Sequence, residues 1–265
     1  MKQKILDSLS AECPWRDTLY WYNSILSTNT QAKELARQGA PQGTVLMAGH
    51  QTGGRGRLGR SFHSPAGLGI YLSVILRPEC KPEQLMHLTC AAAVAMCDAV
   101  EACTGTRPGA KWINDLVLRN RKLGGILTEL SVDPATGKVL YAVVGIGINC
   151  RHRAEDFPPE LNTIATSLAM EGLDCDPANL AAAMIQALHT MSEGLLRDRQ
   201  AVMAQYRRDC ITLGKSITVH RFDSQLPAIA LDVDDDGALL VRYPDGSEGA
   251  VNSGEVSVRG LYSYI

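Results

Sequence analysis

The residues best suited to chemistry in this chain lie in one run: Gln51-Thr52-Gly53-Gly54-Arg55-Gly56-Arg57-Leu58-Gly59-Arg60. Arginine forks are planar, permanently charged and matched to carboxylate and phosphate oxygens. Glycines let backbone N–H groups come close to an anion. Read literally, Gly54, Gly56 and Gly59 make a G-x-G-x-x-G, but the dinucleotide-binding meaning of that pattern needs a helix directly behind it. Ser61-Phe62-His63-Ser64-Pro65-Ala66-Gly67 follows instead and breaks a helix. What remains is an anion-binding loop, with a solvated basic loop that binds nothing as the alternative.

Three further segments carry polar groups at suggestive spacing. Lys111-Trp112-Ile113-Asn114-Asp115 sets a lysine, an amide and a carboxylate just before a strand. It reads as a nucleotide or metal contact, or as a polar turn with a buried tryptophan. In Arg121-Lys122-Leu123-Gly124-Gly125-Ile126-Leu127-Thr128-Glu129, Lys122 precedes two glycines at a strand start, where backbone can approach a ligand. In Gly145-Ile146-Gly147-Ile148-Asn149, glycines alternate with isoleucines, so one face of a strand lacks side chains. That leaves room for a flat ligand, or for close packing of the chain itself.

These segments need elements to position them. Ser27-Thr28-Asn29-Thr30 is a cluster of good N-cap residues opening a helix that stops at Gly39. Apolar runs at 44–48 and 69–76 read as strands on either side of the arginine loop. A long buried helix is expected over 82–103, with Pro82 in its first turn. Strands follow at 116–118, 125–130 and 139–148, and a helix over 179–208 interrupted at Gly194. From Leu213 onward only short β-like runs remain, at 216–221, 228–233, 238–243 and 256–259, separated by turn signals such as Asp235-Asp236-Gly237. Hairpin-like strands mixed with helices, without regular βαβ alternation, predict an α+β catalytic domain over 1–212. A small all-β barrel is expected over 213–265.

Bulk properties exclude several classes. Lys plus Arg total 26 against 28 Asp plus Glu, a net charge of −2 that argues against a dedicated nucleic-acid binder. None of the eight cysteines forms a C-x-x-C pair, which favours reduced thiols in a cytoplasmic protein over a metal or disulfide framework. The N-terminus lacks a signal-peptide pattern, and no stretch approaches the ~18 apolar residues of a membrane span.

Together, and in this order, the four segments resemble the biotin protein ligase family. The pattern G-R-G-R-x-G-R is matched at Gly54–Arg60, K-W-P-N-D at Lys111–Asp115 except for Ile113, K-x-x-G-I-L at Lys122–Leu127 and G-x-G-I-N at Gly145–Asn149. The S-T-N signature is present at Ser27–Asn29, and Gly254–Arg259 is similar to the family's closing strand. The resemblance covers most of the chain. It implies a catalytic domain related to class II aminoacyl-tRNA synthetases, with a mixed sheet and helices, followed by a small SH3-like barrel. It further implies that Ser27, Thr28, Asn29 and Gln51 line a biotin site, and that Arg55, Gly56 and Arg57 close over biotin and its adenylate. Lys122 would hold the biotin carboxylate and the α-phosphate, while Asn114 and Asp115 serve the adenine and the second step. Gly54, Lys111, Gly125, Gly147 and Asn149 belong to the same binding set, and Arg259 would reach the nucleotide from the C-terminal domain. Phe62 stands where many members have tryptophan beside the adenine. About 26 residues precede Ser27, too few for the helix-turn-helix domain of bifunctional members, so the monofunctional type without a DNA role is expected.

The implied activity is adenylation of biotin by ATP with Mg²⁺, then transfer to a lysine of the biotin carboxyl carrier protein of acetyl-CoA carboxylase or a related carboxylase. Arg57, Lys122 and Asp115 are the expected catalytic residues; no protein nucleophile is needed, and no Ser-His-Asp or Cys-His set is evident. The family allows a homodimer built by extending the central sheet, or a monomer. The rival readings are a lipoate or octanoate ligase on the same scaffold, and a non-catalytic nucleotide- or RNA-binding protein that would not consume ATP.

Overall fold

The structure, a computed structural model, describes residues 1–221, 224–252 and 256–260. For Arg221, Ser224 and 256–260 the description is of the backbone alone. The N-terminal part contains, in chain order, α1 (Lys2–Ser8), β1 (Leu19–Tyr22), α2 (Thr28–Arg37), β2 (Val45–Ala48), β3 (Gly69–Leu76), α3 (Leu88–Thr104), β4 (Gly109–Lys111), β5 (Asp115–Leu118), β6 (Arg121–Val132), β7 (Val139–Asn149), α4 (Pro177–Gly194) and α5 (Arg199–Asp209). The C-terminal part contains β8 (Ser216–Arg221), β9 (Ser224–Val233), β10 (Leu239–Arg242), β11 (Glu248–Val251) and β12 (Val256–Gly260).

Strands β1–β7 form one mixed sheet in the order β1-β2-β3-β7-β6-β5-β4. The β1–β2 pair is parallel and the other pairs are antiparallel. Because side chains alternate across a strand, the sheet buries two separate cores. Val45, Met47, Leu72, Val74, Val144 and Ile146 face α3 and α4. Leu46, Ile75, Tyr141 and Val143 face the other way, onto Ala32 and Ala36 of α2. Helices α3 and α4 pack against each other and both touch the sheet, α3 at β4–β6 and α4 at β3. The α3 run of Ala91, Ala92, Ala93 and Ala95 lets neighbouring backbone come close, and each buried Leu, Val or Met along it contributes about 1.5–3 kcal/mol. Pro82–Thr104 is long and apolar enough to cross a membrane by length and composition, but here it is mostly buried in the core.

Several expectations shift in detail. The predicted helix over 82–103 is two pieces, a single turn at Pro82–Leu85 and then α3. Helix α1 and strands β1, β4 and β11 carry no signal in the sequence, because each is short. Ser27 occupies the N-cap of α2, but its side chain makes no cap bond. The Gln51 side-chain carbonyl accepts from the Thr28 N–H at 2.9 Å instead, so a loop residue caps the helix. Strands β8–β12 form an antiparallel sheet in the order β11-β10-β9-β8-β12. Its turn at 234–238 packs onto the N-terminal part, where Gly237 O accepts from Trp112 Nε1 at 2.9 Å and Asp235 pairs with Arg207 at 2.6 Å.

Candidate active site

On the α2 face of the sheet, register aligns residues of four strands in rows. Asp115 pairs with Gly125, Gly125 with Gly147, and Gly147 with Tyr71. The next row is Leu127, Gly145 and Ser73, and the next is Glu129, Val143 and Ile75. The adjoining glycines 125 and 147 therefore leave a patch of sheet without side chains. A cavity of about 540 Å³ lies over it.

Lys122 reaches that face only because β6 is bulged. Leu116 pairs with Gly124 while Val117, the next residue, pairs with Lys122. Leu123 is the extra residue, and it is buried in the core on the far side. A bulge re-aims the side chains beyond it, and here it turns Lys122 to the side of Asp115. Lys122 Nζ donates to Asp115 Oδ1 at 2.6 Å. The Lys122 backbone is held on its other edge, where its N–H donates to Ile164 O at 2.7 Å and its carbonyl accepts from Thr166 N at 2.8 Å.

The glycine–arginine loop is a miniature hairpin between β2 and β3. Gly56 N donates to Arg60 O at 2.7 Å and Phe62 N to Gly54 O at 2.9 Å. Its tip turns through Leu58 and Gly59 at φ 54° and 74°, which favours glycine at the second position. The tip carries Arg57 across the cavity, where Nη1 donates to Asn114 Oδ1 at 3.1 Å. Asn114 is fixed in turn, because its Nδ2 donates to Ile126 O at 3.0 Å. Burial lowers the Arg57 guanidinium from its ordinary value, against the raising influence of Asp115. Arg55 instead pairs with Glu129 at 3.2 Å. Glu129 also accepts from Lys33 at 2.6 Å and Asn29 at 3.0 Å. Burial pushes the Glu129 carboxyl up, but the Lys33 and Asn29 hydrogen bonds and the two cationic neighbours outweigh it and hold the group below its usual range.

The end of the cavity beside α2 is a closed hydrogen-bond network. Ser73 Oγ donates to Asn29 Oδ1 at 2.6 Å and lies 2.8 Å from Thr28 Oγ1. Gln51 Nε2 donates to Ser64 Oγ at 3.0 Å. A Cβ on Gly145 would sit 1.8 Å from Asn29 Oδ1, and one on Gly147 would sit 2.3 Å from the Phe62 ring. The alternating glycines thus make room for Asn29 and for the aromatic face of Phe62.

Charge decides what this cavity suits. Arg55, Arg57, Arg60, Lys111 and Lys122 line it, and Asp115 is the sole acid lining it among the described residues. A half-enclosed site with that imbalance favours ligands bearing several negative charges.

Comparison with known proteins agrees. Residues 21–149 match the Biotin/lipoate A/B protein ligase family, and 212–259 match the Biotin protein ligase C terminal domain. The chain is 35% identical over 234 residues to a bifunctional ligase/repressor BirA of Bacillus spizizenii, covering 86% of this chain and 70% of that protein. It is 34% identical over 239 residues to the biotin--[acetyl-CoA-carboxylase] ligase of Mycobacterium tuberculosis, covering 87% and 85%. The structure of a biotin protein ligase from Aquifex aeolicus in complex with biotin and ATP superposes with a TM-score of 0.74 at 27% identity, covering 91% of this chain and 98% of that one. The chain belongs to the biotin protein ligase family.

Within this ligase the structure brings Ser27, Thr28, Asn29, Gln51, Arg55, Gly56, Arg57, Lys111, Asn114, Asp115, Lys122, Gly125 and Gly147 to the wall of the one cavity. Gly54 and Asn149 are not on that wall. A Cβ on Gly54 would meet Phe62 O at 2.4 Å and Ser64 Oγ at 2.6 Å, so this glycine serves the hairpin's own packing. Asn149 shares the strand face of Gly147, but the chain at 165–168 passes over it and Thr166 O accepts its amide at 3.0 Å. For Arg259 the backbone pairs with Thr218 in β8, and the side chain lies outside the described residues. Ile113, where the family motif has proline, is buried, and the Trp112–Ile113 peptide is cis. Sequence reasoning placed Arg60 in the anion-binding loop without giving it a ligand, and missed Glu129, Leu161 and Ile164. Glu129 had a signal, since it lies two and four places beyond Leu127 and Gly125 on the same strand face. Leu161 and Ile164 had none, because they come from an irregular segment.

Proposed function

We propose that this cavity is where biotin is adenylated and handed to its acceptor, with Lys122, Arg57 and Asp115 as the catalytic residues. As a biotin–[acetyl-CoA-carboxylase] ligase, the enzyme activates biotin with ATP and attaches it to the carboxylase. The observation carrying the residue assignment is the convergence of five cations on a cavity with one carboxylate.

The first step joins two anions. A biotin carboxylate oxygen attacks the α-phosphorus, the bond to the β-phosphate oxygen breaks, and pyrophosphate leaves. Fixed cations compensate the charge that gathers on the α-phosphoryl oxygens without having to reorganise. Lys122 is the cation set on the sheet, and Arg57 approaches from the loop above. Biotin would lie toward Ser27, Thr28, Asn29 and Gln51, and the nucleotide over Gly125 and Gly147 beside Lys111, Asn114 and the Phe62 ring. Mg²⁺ entering with ATP takes most of its ligands from phosphates and water and needs only one or two carboxylates. Asp115 offers one, so the site fits that ion, which would neutralise phosphate charge.

In the second step the carrier lysine amine attacks the acyl carbon, AMP departs and the nitrogen gives up a proton. Asp115, facing the cavity and already a hydrogen-bond acceptor for Lys122, is placed to orient the amine and take that proton. We assign the acceptor to the biotin carboxyl carrier domain of the carboxylase. We place the division between catalytic and SH3-like parts at 212/213, between α5 and β8. Eight free thiols support a cytoplasmic enzyme.

The test is a mass spectrum of a carrier domain incubated with the protein, biotin, ATP and Mg²⁺. A gain of one biotinyl group that depends on ATP is expected. A gain with lipoate or octanoate but not biotin moves the assignment to the sister ligases, and no gain with any acid removes it.

A further inference from the structure

We propose that Glu171 is a positioning residue for Lys122, acting through a buried brace that touches no substrate. The inference rests on the role given to Lys122 above.

Glu171 ends a short turn behind the cavity wall, and its side chain is 2% exposed. Burying a carboxylate is unfavourable unless it is paired and hydrogen-bonded, so its partners show what it holds. Oε1 accepts from Arg121 Nη2 at 2.7 Å and from Thr166 Oγ1 at 2.5 Å. Oε2 lies 3.5 Å from Arg119 Nη1. Arg121 is the residue immediately before Lys122, and Thr166 is the residue whose N–H donates to the Lys122 carbonyl. One carboxylate therefore grips both the strand that delivers Lys122 and the segment lying along its outer edge. Asn149 grips that segment a second time, through its bond to Thr166 O.

The site needs such a brace for a geometric reason. Lys122 lies at a bulge, two residues from a turn in which Arg119 and Asn120 both have positive φ. The ladder of hydrogen bonds that would fix a regular strand is interrupted there. The neighbouring segment is irregular and supplies only two backbone bonds, to Ile164 O and from Thr166 N. Among the described residues, Glu171 alone ties the hairpin end to that segment through charge. A lysine displaced by about 1 Å from the phosphoryl oxygens loses up to about a hundredfold in rate.

The experiment is a double-mutant cycle on the full chain, read as biotin-dependent ATP–pyrophosphate exchange. Glu171→Gln keeps the size and the Thr166 bond while removing the charge. It is expected to lower kcat for exchange about tenfold. In a Lys122→Ala background the same substitution is expected to have no further effect. Thr166→Val, close to isosteric, should show the same dependence on Lys122 and covers the case in which Glu171→Gln does not fold. If Glu171→Gln slows both backgrounds by the same factor, or slows neither, the brace does not act through Lys122 and the inference is overturned. If Lys122→Ala alone exchanges at the parental rate, it is the role of Lys122 that fails, and the inference goes with it.

Discussion

The two sides of the cavity are built differently. The sheet side is fixed by register: Asp115, Gly125 and Gly147 are locked by strand pairing, Asn114 by Ile126, and Lys122 by strand, neighbour and brace. The loop side is a hairpin held by three backbone bonds of its own, with Leu58 at its tip 56% exposed and Arg55 44% exposed. Both sides carry cations, but Lys122 is set by strand pairing and Asp115, whereas Arg57 reaches the cavity from an exposed hairpin and is held there by a side-chain bond to Asn114. The contrast teaches a division of labour. On the proposed reading, charge preorganised for bond-making stands on strands, and charge that admits substrate and keeps the labile adenylate from water stands on the loop.

Substitutions on each side should separate those two tasks. Lys122→Met on the sheet should have the largest effect, a loss of about 10²–10³-fold in kcat for pyrophosphate exchange, the usual cost of deleting one preorganised charge donor. A smaller loss than that of any loop arginine would break the comparison. Arg57→Gly on the loop should act mainly on retention. Losing its charged hydrogen bond costs about 1.5–3 kcal/mol, or roughly 10- to 150-fold in escape of biotinyl-AMP, seen as labelling of bystander lysines. Labelling confined to the carrier would deny the loop its retaining role.

Gly145→Ala tests the end of the cavity where the two sides meet. The added methyl would land on Asn29 Oδ1, an atom already held by Ser73. Overpacking of this kind costs about 1–3 kcal/mol, and biotin affinity measured by calorimetry should fall accordingly while ATP affinity changes little. Equal losses for both ligands would place biotin elsewhere.

The smallest effect is a pH dependence at the foot of the loop. His63 Nε2 lies 2.9 Å from Asp156 O, and beneath it His152 is fully buried and stacked on Phe157 at 4.8 Å. Burial first, then the His63 charge, pulls His152 from an ordinary 6.5 down to about 4. The folded state thus prefers the neutral ring, and the unfolded chain takes up the proton first. This contribution to stability is complete above about pH 6.5 and is lost as pH falls towards 4, at no more than about 1.4 kcal/mol per pH unit. Melting temperatures from pH 7 to 4.5 should fall less steeply in His152→Phe than in the parent. Parallel curves would show that another group governs acid unfolding.

Much of the sheet side was legible in advance. Runs such as 69–76 coincide with β3 because a buried strand is written as a short β-rich apolar stretch. The break at Gly194 separates α4 from α5, and a Cβ there would meet Asp198 Oδ2 at 2.5 Å. The motifs named nearly all of the cavity wall because a site that handles two anions must spend its arginines, lysines and glycines close together in the chain. Asn149 shows the limit, since a motif residue on the correct strand face supports the wall rather than lining it. Alternation along β6 and β7 says which way a side chain leaves the strand, and it does not say what lies across from it.

By itself, then, the sequence determined the chemistry: an anion-binding loop of glycine and arginine, a lysine before two glycines, and a strand face stripped of side chains. Those properties are local, because charge and backbone freedom belong to single residues. The tertiary structure alone decided that Lys122 faces Asp115, that Gln51 caps α2, that Glu129 collects Lys33, Asn29 and Arg55, and that Glu171 stands behind the wall. Each depends on a register shift or on a contact between residues far apart in the chain. A one-residue bulge reverses the direction of every side chain beyond it, and no pattern of neighbours in the sequence records which strand pairing prevails.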